Sequence, residues 1–118
     1  LQGPVVLMPQ PSDVLYVVDQ HDTIETAMAL IEQNRHRSVI VQDEHRMVVG
    51  KLSDGDIRKA LLDHRLLSTP VHQVMNTNFI AMTPEEAHRA KAIFESGHIF
   101  LIPLVNDQGR LLRILKAH

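Results

Sequence analysis

An α+β fold assembled from one strand-helix-strand-strand-helix unit used twice is the architecture the sequence predicts, on three observations. Short β-branched runs alternate with stretches in which apolar residues recur every three or four positions, so the hydrophobic period switches between strand and helix along the chain. Polar turns join pairs of the strand-like runs. The series of elements then returns once: a shift of 63 positions sets Ala90 on Ala27 and needs no gap.

Residues 1–13 hold three of the six prolines, Pro4, Pro9 and Pro11, and read as an extended arm. The chain opens on Leu1, and Gly3-Pro4 reads as a cloning remnant. Val14-Leu15-Tyr16-Val17-Val18 predicts a buried strand closed by Asp19-Gln20. Asp22 or Thr23 can cap a helix whose apolar face is Ile24, Ala27, Met28, Leu30 and Ile31, ending near Asn34. Val39-Ile40-Val41 and Met47-Val48-Val49 flank the polar turn 42–46 and predict a hairpin. From Ser53, Ile57, Ala60, Leu61 and Leu62 line one side of a second helix, whose first turn carries Asp54 and Asp56 as the helix dipole favours. It fades over His64 to Leu67, before Pro70.

The second pass predicts a strand at Phe79-Ile80, a helix from Pro84 to Ser96 stopped by Gly97, and strands at 99–105 and 111–115 around the turn 106–109. The same shift pairs Tyr16 with Phe79, Val17 with Ile80, Asn34 with Gly97, Asp43 with Asn106 and Leu52 with Leu115. The chain therefore divides into an arm, 1–13, a first repeat, 14–67, and a second, incomplete repeat, 68–118.

Composition narrows the function. Twelve Lys and Arg against fourteen Asp and Glu leave a net charge of −2, without the positive excess that nucleic-acid binding calls for. No apolar run approaches the roughly 20 residues of a membrane span. The absence of cysteine removes disulfides and thiolate metal sites and suits a cytoplasmic location. Eight histidines are scattered without metal-ligand spacing, so no metal is expected. Glu85-Glu86 sits at a helix start with no paired base or nucleophile, and no phosphate loop, nucleophile elbow or dinucleotide fingerprint occurs. No catalytic residue is predicted.

Gly50-Lys51-Leu52-Ser53-Asp54-Gly55-Asp56, at the exit of the third strand of a unit present twice, resembles the repeat pair of the CBS (cystathionine beta-synthase) domains, or Bateman module. The run Ser53 to Leu62 and the later Pro70-Val71 and Val74-Met75-Asn76 are similar to pairs attached to sugar-phosphate nucleotidyltransferases and sugar-phosphate isomerases. The resemblance implies two pseudo-symmetric repeats with clefts between them that take adenosine nucleotides: AMP, ADP or ATP as ligand, with no cofactor required. It implies a regulatory module, itself no enzyme, whose catalytic domain, in the first instance a nucleotidyltransferase, lies on other chain. A homodimer through the helices is implied as well. Two alternatives stand beside this reading: a ligand-free interaction module, and a sensor of a sugar nucleotide.

The family motif, Gly, two residues, Ser or Thr, two residues, Asp, is met by Gly50, Ser53 and Asp56. Ser53 and the free amides of the helix start, Asp54 among its residues, can hold a phosphate. Asp56 can accept the ribose hydroxyls, and Gly55 permits close approach of a ligand. By the family's geometry Tyr16, Val17, Arg37 and Ser38 would meet the adenine. The same spacing is also close to that of a helix capping box. In the second repeat the shift puts Arg113 opposite Gly50 and Lys116 opposite Ser53, with nothing opposite Asp56. One complete site is therefore expected, with Lys116 free to serve a phosphate.

Overall fold

The computed structural model describes residues 11–117. Two sheets lie inside and helices outside. The first sheet has the order β1-β2-β3, with β1 (Val17–Asp19) parallel to β2 (Ser38–Gln42) and β3 (Val48–Ser53) antiparallel to it. Helix α1 (Ile24–Asn34) crosses from β1 to β2, and α2 (Asp54–Leu62) follows β3 directly. The second sheet is the antiparallel pair β4 (Leu101–Val105) and β5 (Leu111–Lys116), preceded by the short helix α3 (Ala90–Glu95).

Alternation along β2 explains the layering. Val39 and Val41 turn to one side, where Ile24, Ala27, Ile31, Ile57 and Ala60 of α1 and α2 bury them. Ile40 turns to the other, against Tyr16, Leu101, Leu111 and Ile114 between the sheets. β4 repeats the scheme, with Ile102 and Leu104 packed with Met82 and Ala90. Both central strands are thus covered on both faces, which is why they read as unbroken apolar runs.

Thr23 caps α1, its hydroxyl accepting from Thr26 N at 3.2 Å, and Arg35 ends it in the left-handed region at φ 61°. Buried Asn34 then knots the exit: its amide donates to Leu15 O (2.8 Å) and Ser38 O (3.1 Å), and its side-chain oxygen accepts from His36 N (2.7 Å).

The repeat is visible in the strands. Both hairpins carry a bulge at the same place, between Val41 and Gln42 and between Leu104 and Val105, 63 positions apart. Arg46 (φ 65°) and Gly109 (φ 86°) occupy the same left-handed turn position. The hairpin ends meet through reciprocal bonds, Val48 N to Gly109 O (3.0 Å) and Leu111 N to Arg46 O (2.9 Å). These are a pair that a two-fold axis exchanges.

Four expectations need correction. The first strand is only Val17–Asp19, because Pro11–Tyr16 forms a 3-10 helix that buries Asp13 and leaves Val14 67% exposed. Of the arm, residues 1–10 lie outside the described residues. Phe79-Ile80 is not a strand: only Met82 bridges to Leu104, and Pro84, without an N–H, opens a helical turn two residues on. The Pro84–Ser96 helix is a 3-10 turn over Pro84–Arg89 before it becomes α3, with Gly97 at φ 82° after it. Finally, the caps Thr23 and Thr83 are 60 positions apart, not 63, so the second repeat carries three more residues between cap and strand.

Candidate functional site

β3 delivers Ser53 to the start of α2, and the register of β2 sets Ser38 opposite it. Asp54 N donates to Arg37 O at 2.9 Å, tying the helix start to the turn before β2. Arg37 holds φ 65°, and its guanidinium lies 5.5 Å from the centre of the Phe100 ring. These bonds bring Arg37, Ser38, Ser53, Asp54 and Gly55 to one cleft of about 510 Å³, joined there by Lys51 and Arg58 of the first repeat and His98 and Phe100 of the second.

The cleft runs on into a space of about 390 Å³ that shares Lys51, Ser53 and His98 and adds Asp56, Asn78, Phe79 and Ile80. A Cβ on Gly55 would find Ser53 Oγ at 3.7 Å, an ordinary contact, so packing alone does not demand glycine there. Gly50 lies behind the cleft, beneath Met75.

Ser53 and Asp56 form a reciprocal capping box. Asp56 N donates to Ser53 Oγ (3.1 Å), while Ser53 N and its hydroxyl both donate to Asp56 Oδ2, each at 3.0 Å. Arg37, Lys51 and Arg58 line the cleft together with Asp54, and Lys51 also lines the adjoining space with Asp56. Burial pushes the Lys51 ammonium below its ordinary pKa, and nearby Asp56 partly restores it. Desolvation of that kind makes an incoming anion a favourable partner.

Tyr16 and Val17 do not join this group. Tyr16 is buried on the other side of the pair, its hydroxyl 3.1 Å from His36 Nδ1, and Val17 packs beside it. Their repeat counterparts, Phe79 and Ile80, stand in the cleft instead, and Phe100, the counterpart of Arg37, joins them. Sequence reasoning missed these residues, although the 63-residue shift carried the signal: a two-fold puts one repeat's first segment beside the other repeat's Ser53. Lys116 is not open to a phosphate either, being paired with Asp13 at 2.9 Å.

Among the described residues no group of three His, Asp or Glu is placed to hold a metal, and no helix is long and apolar enough to cross a membrane.

The family model of the CBS domain matches residues 10–63. The arabinose 5-phosphate isomerase GutQ of Salmonella typhi is 31% identical over 110 residues, covering 85% of this chain and 34% of that protein. The chain thus spans about a third of that relative's length. Among solved structures, the CBS domains of a transcriptional regulator from Streptococcus pneumoniae superpose with a TM-score of 0.71 at 19% identity, covering 93% of this chain and 89% of that one. The CBS domain protein PAE2072 from Pyrobaculum aerophilum, complexed with AMP, gives 0.66 at 19% identity, covering 88% and 85%. At such identities the structures speak for the fold. The named enzymes among the relatives are isomerases, which moves the association with sugar-phosphate enzymes away from the nucleotidyltransferase put first by the sequence.

Proposed function

The chain belongs to the CBS domain family, and from that premise we propose that it is a regulatory module that binds an adenosine nucleotide in the cleft between Ser53 and Phe100. The carrying observation is a division of labour across the cleft. The first repeat supplies a helix start with Ser53 and the cations Lys51, Arg37 and Arg58, suited to a phosphate; the second supplies the flat apolar faces of Phe79 and Phe100, suited to a base. AMP, ADP and ATP all have this pair of features, and AMP is the ligand carried by PAE2072. A ligand held by both repeats stabilises one relative pose of the two, and so biases whatever catalytic domain is attached. The likeness to GutQ favours a sugar-phosphate isomerase as that domain. The units are repeats over 14–67 and 68–118, the module itself is not an enzyme, and its cysteine-free composition suits the cytoplasm. The exposed apolar residues of α1 and α2 favour a homodimer.

Calorimetry with AMP, ADP, ATP and adenosine tests this. Lys51→Met should weaken AMP about tenfold, or about 1.4 kcal/mol, and leave adenosine unchanged. If Lys51→Met and Ser53→Ala together leave AMP binding intact, the ligand sits elsewhere. One observation favours a second reading: the Ser53–Asp56 box is complete without a ligand, as an interaction-only module requires. In that case no nucleotide binds at millimolar concentration.

A further inference from the structure

The two-fold that relates the repeats must generate a second cleft, and its residues follow from the strand register. The 63-residue shift sets Lys116 on Ser53, Ile114 on Lys51, Asp13 on Asn76 and Tyr16 on Phe79. On the open side, Lys51 and Asn76 exchange two backbone hydrogen bonds, at 2.9 and 2.8 Å. On the other side a side chain replaces the backbone: Ile114 N donates to Asp13 Oδ2 at 3.3 Å. Asp13 Oδ1 accepts from the Lys116 ammonium at 2.9 Å. That ammonium also stands 4.7 Å from the centre of the Tyr16 ring. The Asp13 side chain is 3% exposed and that of Lys116 24%.

A cation therefore occupies the position at which the open cleft offers a serine hydroxyl, and its charge is already met by a carboxylate. We propose that the second cleft is filled by the chain itself, with Asp13–Lys116 as a latch that closes it and leaves one nucleotide site per chain. The latch joins residues 103 positions apart, the first described turn to the last strand. It makes one side of the pair fixed, so that a ligand in the open cleft moves the repeats about the latched side.

The stoichiometric part of this rests on the nucleotide reading; the latch does not. The test combines urea denaturation of Asp13→Asn, Lys116→Met and the double variant with calorimetric titration by AMP. Each single variant should lower the unfolding midpoint, and the double should lower it by clearly less than the sum of the two. AMP should titrate one site per chain, with an affinity in Lys116→Met within about twofold of the unaltered chain. Additive midpoints overturn the latch. So does a second AMP site in the unaltered chain, or loss of AMP binding in Lys116→Met, which would place the ligand on Lys116. If AMP gives no heat, the nucleotide reading fails and the midpoints alone decide the latch. Should the single variants fail to fold while the double folds, the coupling is upheld.

Discussion

A Cβ on Gly50 would overlap Met75 Sδ and stand 2.8 Å from Met75 Cγ and 3.2 Å from Asn76 O. Gly50 is therefore required by the segment that bridges Lys51 to Asn76, whatever the cleft holds. In the sequence this glycine could be read only as a motif position, because nothing in its neighbours announces that residues 75–76 return 25 positions later to lie against it. Ser53 and Asp56 were more legible, since both candidate roles, cap and ligand contact, are local to one helix start. Gly50→Ala should cost about 1–3 kcal/mol by overpacking. Adding Met75→Ala should recover part of that loss, because the two changes share one space. Urea denaturation measures both, and a Gly50→Ala chain of unchanged stability that no longer binds AMP would assign Gly50 to the ligand.

Elements were legible where period and boundary chemistry agree. α1 has both, an apolar face with Thr23 before it and Asn34 at its end, and it falls where the sequence puts it. The segment at Phe79-Ile80 has the composition of a strand, but its apolar side chains serve the cleft rather than a sheet, and a two-residue run cannot tell those uses apart. Val14 to Tyr16 fails for a related reason: a 3-10 turn begun at Pro11 takes the residues that β-propensity would give to β1. The start of the second repeat's helix rests on a second capping box, Thr83 with Glu86, whose carboxylate accepts from Thr83 N at 3.0 Å and from its hydroxyl at 3.1 Å. The backbone bond to Thr83, then its hydroxyl, hold the Glu86 carboxyl below its ordinary pKa, against an opposing effect of desolvation. A depressed carboxylate stabilises the fold above the unfolded-state value of 4.5 and ceases to do so as pH falls through the lower folded value. Urea midpoints of the unaltered chain and Glu86→Gln should therefore differ near neutral pH and converge as the pH falls below 4.5 and through the lower folded value. A gap that persists in acid would mean the carboxylate's charge is not what caps this turn.

For the whole molecule, the shift of 63 residues was the most informative property of the sequence, since it is reproduced by bulges, left-handed turns and the reciprocal bonds between hairpin ends. It also set Lys116 opposite Ser53, so that the two sides differ; what it could not convey is that Lys116 is held by Asp13, because that pair joins a position before the first strand to one at the end of the last. Assembly is the remaining question at this scale. α1 and α2 frame a groove of about 590 Å³ in which Met28, 39% exposed, and Leu61, 38% exposed, stand beside Ile31 and Ile57. Its rim carries both signs, Glu32 and Asp54 with Arg35 and Arg58. A surface with apolar centre and mixed rim is self-complementary under a two-fold, since each acidic group of one copy can meet a basic group of the other. The chain should therefore be a dimer at micromolar concentration by light scattering. Leu61→Arg, which adds two like charges across the axis and removes apolar contact, should yield a monomer that keeps its circular dichroism and its affinity for AMP, because Leu61 lines this groove and not the cleft of Ser53. A concentration-independent monomer in the unaltered chain would instead leave these side chains to a partner of another sequence.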